Sequence, residues 1–169
     1  MAKKILAKDL LFVSKSLKET LDYLAAGASL VARTGIDVKR LRLKAASDRL
    51  ALAASFLREA KALSAGKGLR RTVVSRAYYA MYHAARAATF MSYGGDDHEQ
   101  HTVLPSKLPK DFPDAAQHQN SLKNARFERN RADYDPYPRS DDDFSEAAAT
   151  LVADATLIVS TTRKYLSTK

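Results

Sequence analysis

The chain has 169 residues, Lys+Arg 28 against Asp+Glu 19, four His, and neither Cys nor Trp, a size that suits one domain or one domain with an appendage. Its 46% hydrophobic and 28% charged residues read as globular rather than disordered, and the lack of cysteine excludes a disulfide scaffold, a thiolate nucleophile, an iron–sulfur cluster and a Cys-ligated zinc. Ala (29) and Leu (20) dominate while Gly and Pro total eleven, so an all-α protein is expected.

Taken in chain order, the first segment reads as one continuous helix from about Lys4 to Arg33. Leu6, Leu10, Val13, Leu17, Leu21, Leu24, Ala28 and Val31 recur at spacings of three and four, which is one helical stripe. Thr34-Gly35 ends it, with Gly35 as a left-handed cap. Asp37 is placed to cap a second helix over about Val38–Ala65, with Leu41, Ala45, Leu52, Phe56 and Leu63 on its apolar side. Gly66-Lys67-Gly68 stops it. A third helix, about Arg70–Ser92, is rich in Ala, which permits close helix approach, and in Tyr78, Tyr79 and Tyr82, which combine large rings with polar tips.

The stretch 93–114 holds Gly94-Gly95, five acids and three of the five prolines. It is too long for a passive connection, so it is expected to be functional or partly disordered, with a helical turn near Glu99–Leu104. A fourth helix follows over about Ala115–Ala132 until Asp135-Pro136 and Tyr137-Pro138 force extended geometry. Ser140 before Asp141, Asp142 and Asp143 is a strong helix start. The last helix, about Asp141–Leu166, carries Phe144, Ala148, Leu151, Ala155, Ile158 and Thr162 on one side. The boundaries divide the chain into an N-terminal helical extension, 1–37, and a bundle, 38–169.

The longest unbroken apolar run is Ala77–Tyr82, against about twenty residues needed to span a bilayer, so no membrane is expected as a partner. Lys3 and Lys4 resemble the start of a secretory leader, but Lys8 and Asp9 interrupt the apolar stretch. A cytoplasmic location is the expectation. The net charge of +9 is uneven: +6 over 1–44, +6 over 45–92, −3 over 93–114, +2 over 115–139 and −2 over 140–169. A basic chain of this kind can steer toward nucleic acid or anionic lipid, or simply solvate its helices.

Most catalytic signatures are missing. Gly94-Gly95 lacks the Lys-Ser/Thr of a phosphate loop, and there is no Gly-x-Ser-x-Gly turn. Asp96-Asp97-His98-Glu99-Gln100-His101 is the one metal-like cluster, and it is expected to be solvated rather than to bind a metal; no cofactor is expected. The densest segment is Arg126-Phe127-Glu128-Arg129-Asn130-Arg131-Ala132-Asp133-Tyr134. Arg129 and Asp133 form an i,i+4 pair, but Asp133 opposes the dipole at a helix C-terminus and needs another partner. Arg76, Tyr79, His83 and Arg86 follow one another on the third helix. An Arg-rich helix end facing that stripe can hold a phosphate and polarise it.

Two segments carry a family resemblance. Ser75-Arg76-Ala77-Tyr78-Tyr79-Ala80-Met81-Tyr82-His83-Ala84-Ala85-Arg86-Ala87 resembles the second core helix of HEPN domains. Arg129-Asn130-Arg131-Ala132-Asp133-Tyr134 resembles their signature near the end of the third, closest to small stand-alone prokaryotic members with Ala-Asp-Tyr there. The resemblance covers about residues 40–168. It implies a four-helix up-and-down bundle, here with an additional N-terminal helix, that forms a homodimer. It also implies a metal-independent ribonuclease in which Arg binds the scissile phosphate and His serves acid–base chemistry in a shared basic cleft.

By position, Arg129 is the phosphate-binding Arg, Asn130 the polar residue after it, and Tyr134 falls where His is expected. Asp133, His83, Arg76 and Arg126 are supporting candidates, His83 as a substitute base. Tyr is a poor base at neutral pH, so two readings stand. One is a ribonuclease acting on RNA as the toxin of a toxin–antitoxin or phage-defence pair, whose antitoxin partner could be a nucleotidyltransferase. The other is a degenerate module that binds RNA, nucleotide or a partner protein without turnover. A third, a helical adaptor, would use the first helix as its docking seam.

Overall fold

The structure is a computed structural model that describes residues 5–169. The described residues form six α-helices and two short 3-10 turns, with no strand. The chain divides into two compact units, Met1–Leu41 and Arg42–Lys169.

The first unit corrects the single long N-terminal helix, whose expected start at Lys4 lies outside the described residues. There are two helices, α1 (Ala7–Lys15) and α2 (Lys18–Thr34). Ser16 and Leu17 between them are both extended, at ψ 144° and 153°. The cause is local: the Ser16 hydroxyl donates to the Phe12 carbonyl (2.8 Å) and its N–H to Val13 (3.3 Å), so serine competes with the i→i+4 ladder. The stripe is regular enough for one helix, but periodicity does not register a two-residue break. Gly35 does adopt the left-handed cap, φ 68°, its N–H donating to Val31. No residue of α1 or α2 is buried.

α3 (Val38–Ser64) starts on Asp37, whose Oδ1 accepts the Arg40 N–H at 2.9 Å. Its buried stripe is Ala46, Leu50, Ala53, Leu57 and Ala60. This shifts the expected apolar side: Leu52 is exposed, and Leu41, Ala45, Phe56 and Leu63 are only half-buried. The stripe alternates alanine with leucine and joins one buried core with α4 (Arg70–Ser92), where Ala77, Ala80, Ala84, Ala85, Ala87 and Ala88 are all fully buried, while Phe56, one position off the stripe, lies against Tyr79 and His83. Twelve residues of α4 are buried, on nearly every side of the helix, so it is the hub of a core bundle formed by α3 to α6.

α5 (Ala115–Tyr134) and α6 (Ser145–Ser167) complete the bundle. α4 and α5 run antiparallel, with Arg71 against residues 131–135 and Tyr79 against Arg129. α4 and α6 run parallel: Arg71 lies over Phe144, and Thr162 donates to the Ala84 carbonyl. The expected α6 stripe is all buried. By length and composition the Asp141–Ser167 segment also passes as a membrane span, which run length alone misses; here its apolar stripe packs into the bundle core.

Ser140 precedes a 3-10 turn, Asp141–Phe144, but its side chain caps nothing. Asp141 instead caps α4, its Oδ2 and Oδ1 accepting the N–H groups of Arg70 (2.5 Å) and Arg71 (3.0 Å). The 93–114 segment is packed down rather than partly disordered. Leu104, Leu108 and Phe112 are buried, and the helical turn falls at Leu104–Lys107, later than expected.

Candidate functional site

α5 buries His118, Leu122, Ala125 and Ala132. The spacing 118, 122, 125, 132 leaves one gap in a core stripe, and Arg129 fills it. A guanidinium on a buried stripe must be paired, and the partners are supplied locally and by α4. Its Nη2 donates to the Tyr79 hydroxyl at 2.5 Å, and its Nη1 donates to Asn130 Oδ1 at 3.1 Å. Its Nε lies 2.9 Å from Asp133 Oδ2 as an ion pair, without the alignment of a hydrogen bond. The guanidinium also sits 5.6, 5.3 and 5.4 Å from the ring centres of Tyr78, Tyr79 and Tyr134, within cation–π range.

The Arg129 side chain is 14% exposed. Burial opposes its charge, but the Tyr79 hydrogen bond and the neighbouring anionic groups outweigh this and hold its pKa above the ordinary value. Of five N–H donors, two on the terminal nitrogens have no partner among the described residues, so a held, permanently charged group keeps capacity for an oxyanion. Asp133, which the helix dipole disfavours, gains a second partner in the Ser75 hydroxyl of α4 (3.5 Å).

The end of α5 is fixed by Arg71. Its Nη1 donates to the carbonyls of Arg131 (3.2 Å), Ala132 (2.8 Å) and Asp135 (2.9 Å), its Nη2 to Pro138 (2.5 Å). The Ala132 carbonyl would normally take the N–H four residues on, but that residue is Pro136, which has none. Arg71 supplies the missing donor.

His101 reaches the same neighbourhood from the 93–114 segment. Its Nδ1 lies 2.5 Å from the Tyr78 hydroxyl, and its ring stacks on Tyr82, centroids 4.3 Å apart and planes at 22°. The segment is fastened on both sides of the acidic stretch. Tyr82 donates to the Glu99 carbonyl (2.5 Å), and the Thr89 hydroxyl lies 3.1 Å from that of Asp97. The Asp97 carboxylate pairs with Arg86 (2.5 Å) and Arg49 (2.6 Å). Burial and then Arg129, Arg126 and Arg86 lower the His101 pKa below its ordinary value. Burial pushes the Tyr78 hydroxyl up, so it stays protonated.

The expected stripe on α4 therefore splits. Tyr79 faces Arg129. Arg86 serves Asp97. Arg76 turns to α3, 3.3 Å from Glu59 Oε2 and over the Phe56 ring. His83 stacks on Phe56 as well, centroids 5.4 Å apart and planes at 10°, and burial followed by Arg86 and Arg49 lowers its pKa to about 4. Arg129, Asn130 and Asp133 come together; Arg126 acts through its charge on Tyr78 and His101; Tyr134 is 71% exposed and touches Arg129 through its ring alone.

Tyr78, His101 and Arg71 escaped sequence reasoning as site residues. His101 carried no signal beyond the metal-like cluster, and that cluster is dispersed. Asp97 is ion-paired, His98 packs on Tyr93 (4.7 Å) and His101 turns to Tyr78. Among the described residues no group of three or more His, Asp or Glu is arranged for a metal ion.

Compared with models of protein families, the chain matches one described as HEPN domain over residues 46–165, from within α3 to the last turn of α6. No curated protein matches it.

Proposed function

The chain belongs to the HEPN domain family, and from that membership and the end of α5 we propose that it is a metal-independent endoribonuclease working as a homodimer. Arg129 binds the scissile phosphate through its unpartnered N–H donors and stabilises the charge that builds on the phosphoryl oxygens. Asn130, Asp133 and Tyr79 orient it. The single observation that carries this reading is the placement of Arg129: a charged residue on a core stripe, paired on every fixed side, with donor capacity left over. The biological setting we propose is the toxin side of a toxin–antitoxin or phage-defence pair, restrained by a partner protein such as a nucleotidyltransferase.

The test is cleavage of mixed-sequence RNA by purified protein in EDTA. Expected are products ending in 2′,3′-cyclic phosphate, with a rate lowered at least about 100-fold by Arg129→Ala, in line with loss of a preorganised donor. Wild-type protein that leaves RNA intact, or Arg129→Ala cleaving like wild type, overturns it.

The second reading, a non-catalytic RNA-binding module, is favoured by Tyr134. That side chain stands where the family resemblance expects His, and it has no hydrogen bond among the described residues. It predicts RNA binding without turnover, with affinity falling steeply as salt rises.

A further inference from the structure

We infer that His101 is the proton acceptor of this site, delivered from the 93–114 segment to stand in for the His that α5 lacks; the inference rests on the ribonuclease reading above. The geometry has three parts. The Tyr78 hydroxyl at 2.5 Å from Nδ1 fixes one ring nitrogen, which leaves Nε2 for a substrate. The Tyr82 ring at 4.3 Å fixes the imidazole plane, and Tyr82 itself is tethered to the Glu99 backbone. Tyr78 and Tyr79 are also the rings against which Arg129 lies, so the two groups share one aromatic wall. A base held by a hydrogen bond on its far nitrogen, beside a cation for the phosphate, is the arrangement general base catalysis needs.

His83 does not offer this. Its ring is flat against Phe56 on the α3 side, whereas His101 is an exposed residue.

The charges around His101 keep it in the required form. Arg86 from α4 and Arg126 and Arg129 from α5 oppose protonation. Glu99 and Asp97 of its own segment are turned to Arg86. Neutral at pH 7, the imidazole is a base and not an acid. In the step, the 2′-oxygen attacks phosphorus as its proton passes to His101 Nε2, with the Nδ1–H donating to the Tyr78 oxygen. The bond from phosphorus to the 5′-oxygen breaks, the electron pair leaves on that oxygen, and solvent water protonates it. His101 then returns its proton to solvent.

The experiment compares wild type, Arg129→Ala, His101→Ala and Tyr78→Phe in the EDTA cleavage assay across pH, each variant first checked for an unchanged melting curve. His101→Ala is expected to lower the rate by about 10²–10⁴-fold with RNA affinity retained. It should also erase the acid limb that wild type shows below pH 6.5, and added imidazole should restore part of the rate. Tyr78→Phe should move that limb, because the hydroxyl sets the basicity of the imidazole. Arg129-dependent cleavage that is indifferent to His101→Ala, or an acid limb that survives it, overturns this inference and leaves the ribonuclease reading standing. Absence of cleavage in wild type, or cleavage indifferent to Arg129→Ala, overturns both.

Discussion

Replacing Arg71 by Met keeps most of the side-chain stem and removes the guanidinium, a sharp test of how the end of α5 is held. Four carbonyls lose their donor. Only one loss should be costly. The Ala132 carbonyl belongs to a buried residue and has Pro136 at the position that would otherwise serve it, so it is left unsatisfied at about 1–3 kcal/mol. Arg131 keeps the Asp135 N–H at 3.2 Å, while Asp135 is exposed and Pro138 only half-buried, so water replaces what is lost at those two. The contact over Phe144, 4.4 Å from the ring centre, adds about 1 kcal/mol. The sum is about 3 kcal/mol, which for a protein of this size lowers the melting temperature by roughly 6–12 °C. Thermal unfolding followed by circular dichroism measures it. A fall of under 2 °C would mean that the carbonyls are satisfied without Arg71, and the account of this helix end would be wrong. In the cleavage assay, Arg71→Met should also lower activity, since the turn that carries Arg129 to Tyr134 loses its anchor.

The cap exchange at Asp141 predicts that Asp141→Ala costs about 1 kcal/mol through loss of the α4 N-terminal contacts, whereas Ser140→Ala is within about 0.5 kcal/mol of wild type; urea titration of both separates them, and equal effects would refute the assignment. Ala84 is fully buried between α4 and α6, so Ala84→Leu should overpack the interface and cost about 1–3 kcal/mol, again read by urea titration. His83, held neutral with a pKa of about 4, and His118, lowered mainly by burial, both lie below the ordinary value of about 6.5. Above that value neither state binds the proton and they contribute nothing to the pH dependence. As pH falls from about 6.5 toward 4 the unfolded chain takes up protons that the fold refuses, so stability declines over that window. His83→Gln should flatten part of the decline, and an unchanged profile would count against a neutral His83.

Much of the fold was legible in the residues. α6 buries the expected stripe because helix period and apolar spacing coincide along it. α4 begins at Arg70 and ends at Ser92 as read, since the Gly66-Lys67-Gly68 and Gly94-Gly95 segments punctuate it. At α3 the same logic went one position astray, because it ranked large apolar residues as the core. The buried stripe alternates Ala46, Ala53 and Ala60 with Leu50 and Leu57, and alanines carry little weight in a pattern read from large side chains. For the candidate site, Arg129 with Asp133 was readable, as an i,i+4 pair is local. The division of Arg76, Tyr79, His83 and Arg86 among three different neighbours was not, because residues three or four apart on a crowded helix face different partners when that helix is buried on nearly every side.

By itself, then, the sequence determined what depends on a residue and its near neighbours along the chain: the helical segments, the left-handed Gly35, the Asp37 cap, the Arg129–Asp133 pair. Tertiary structure alone decided what joins distant segments. Asp141 caps a helix whose first N–H groups lie 70 and 71 positions away. Arg71 replaces a hydrogen bond that Pro136 cannot make. His101 meets Tyr78 across 23 positions. The physical reason is the same in each case. A backbone donor or acceptor left over at a helix end, or a polar tip in a core, must be satisfied by something, and local pattern states only that the need exists. Which side chain meets it depends on how the helices pack, a sum over the whole core that no single segment encodes.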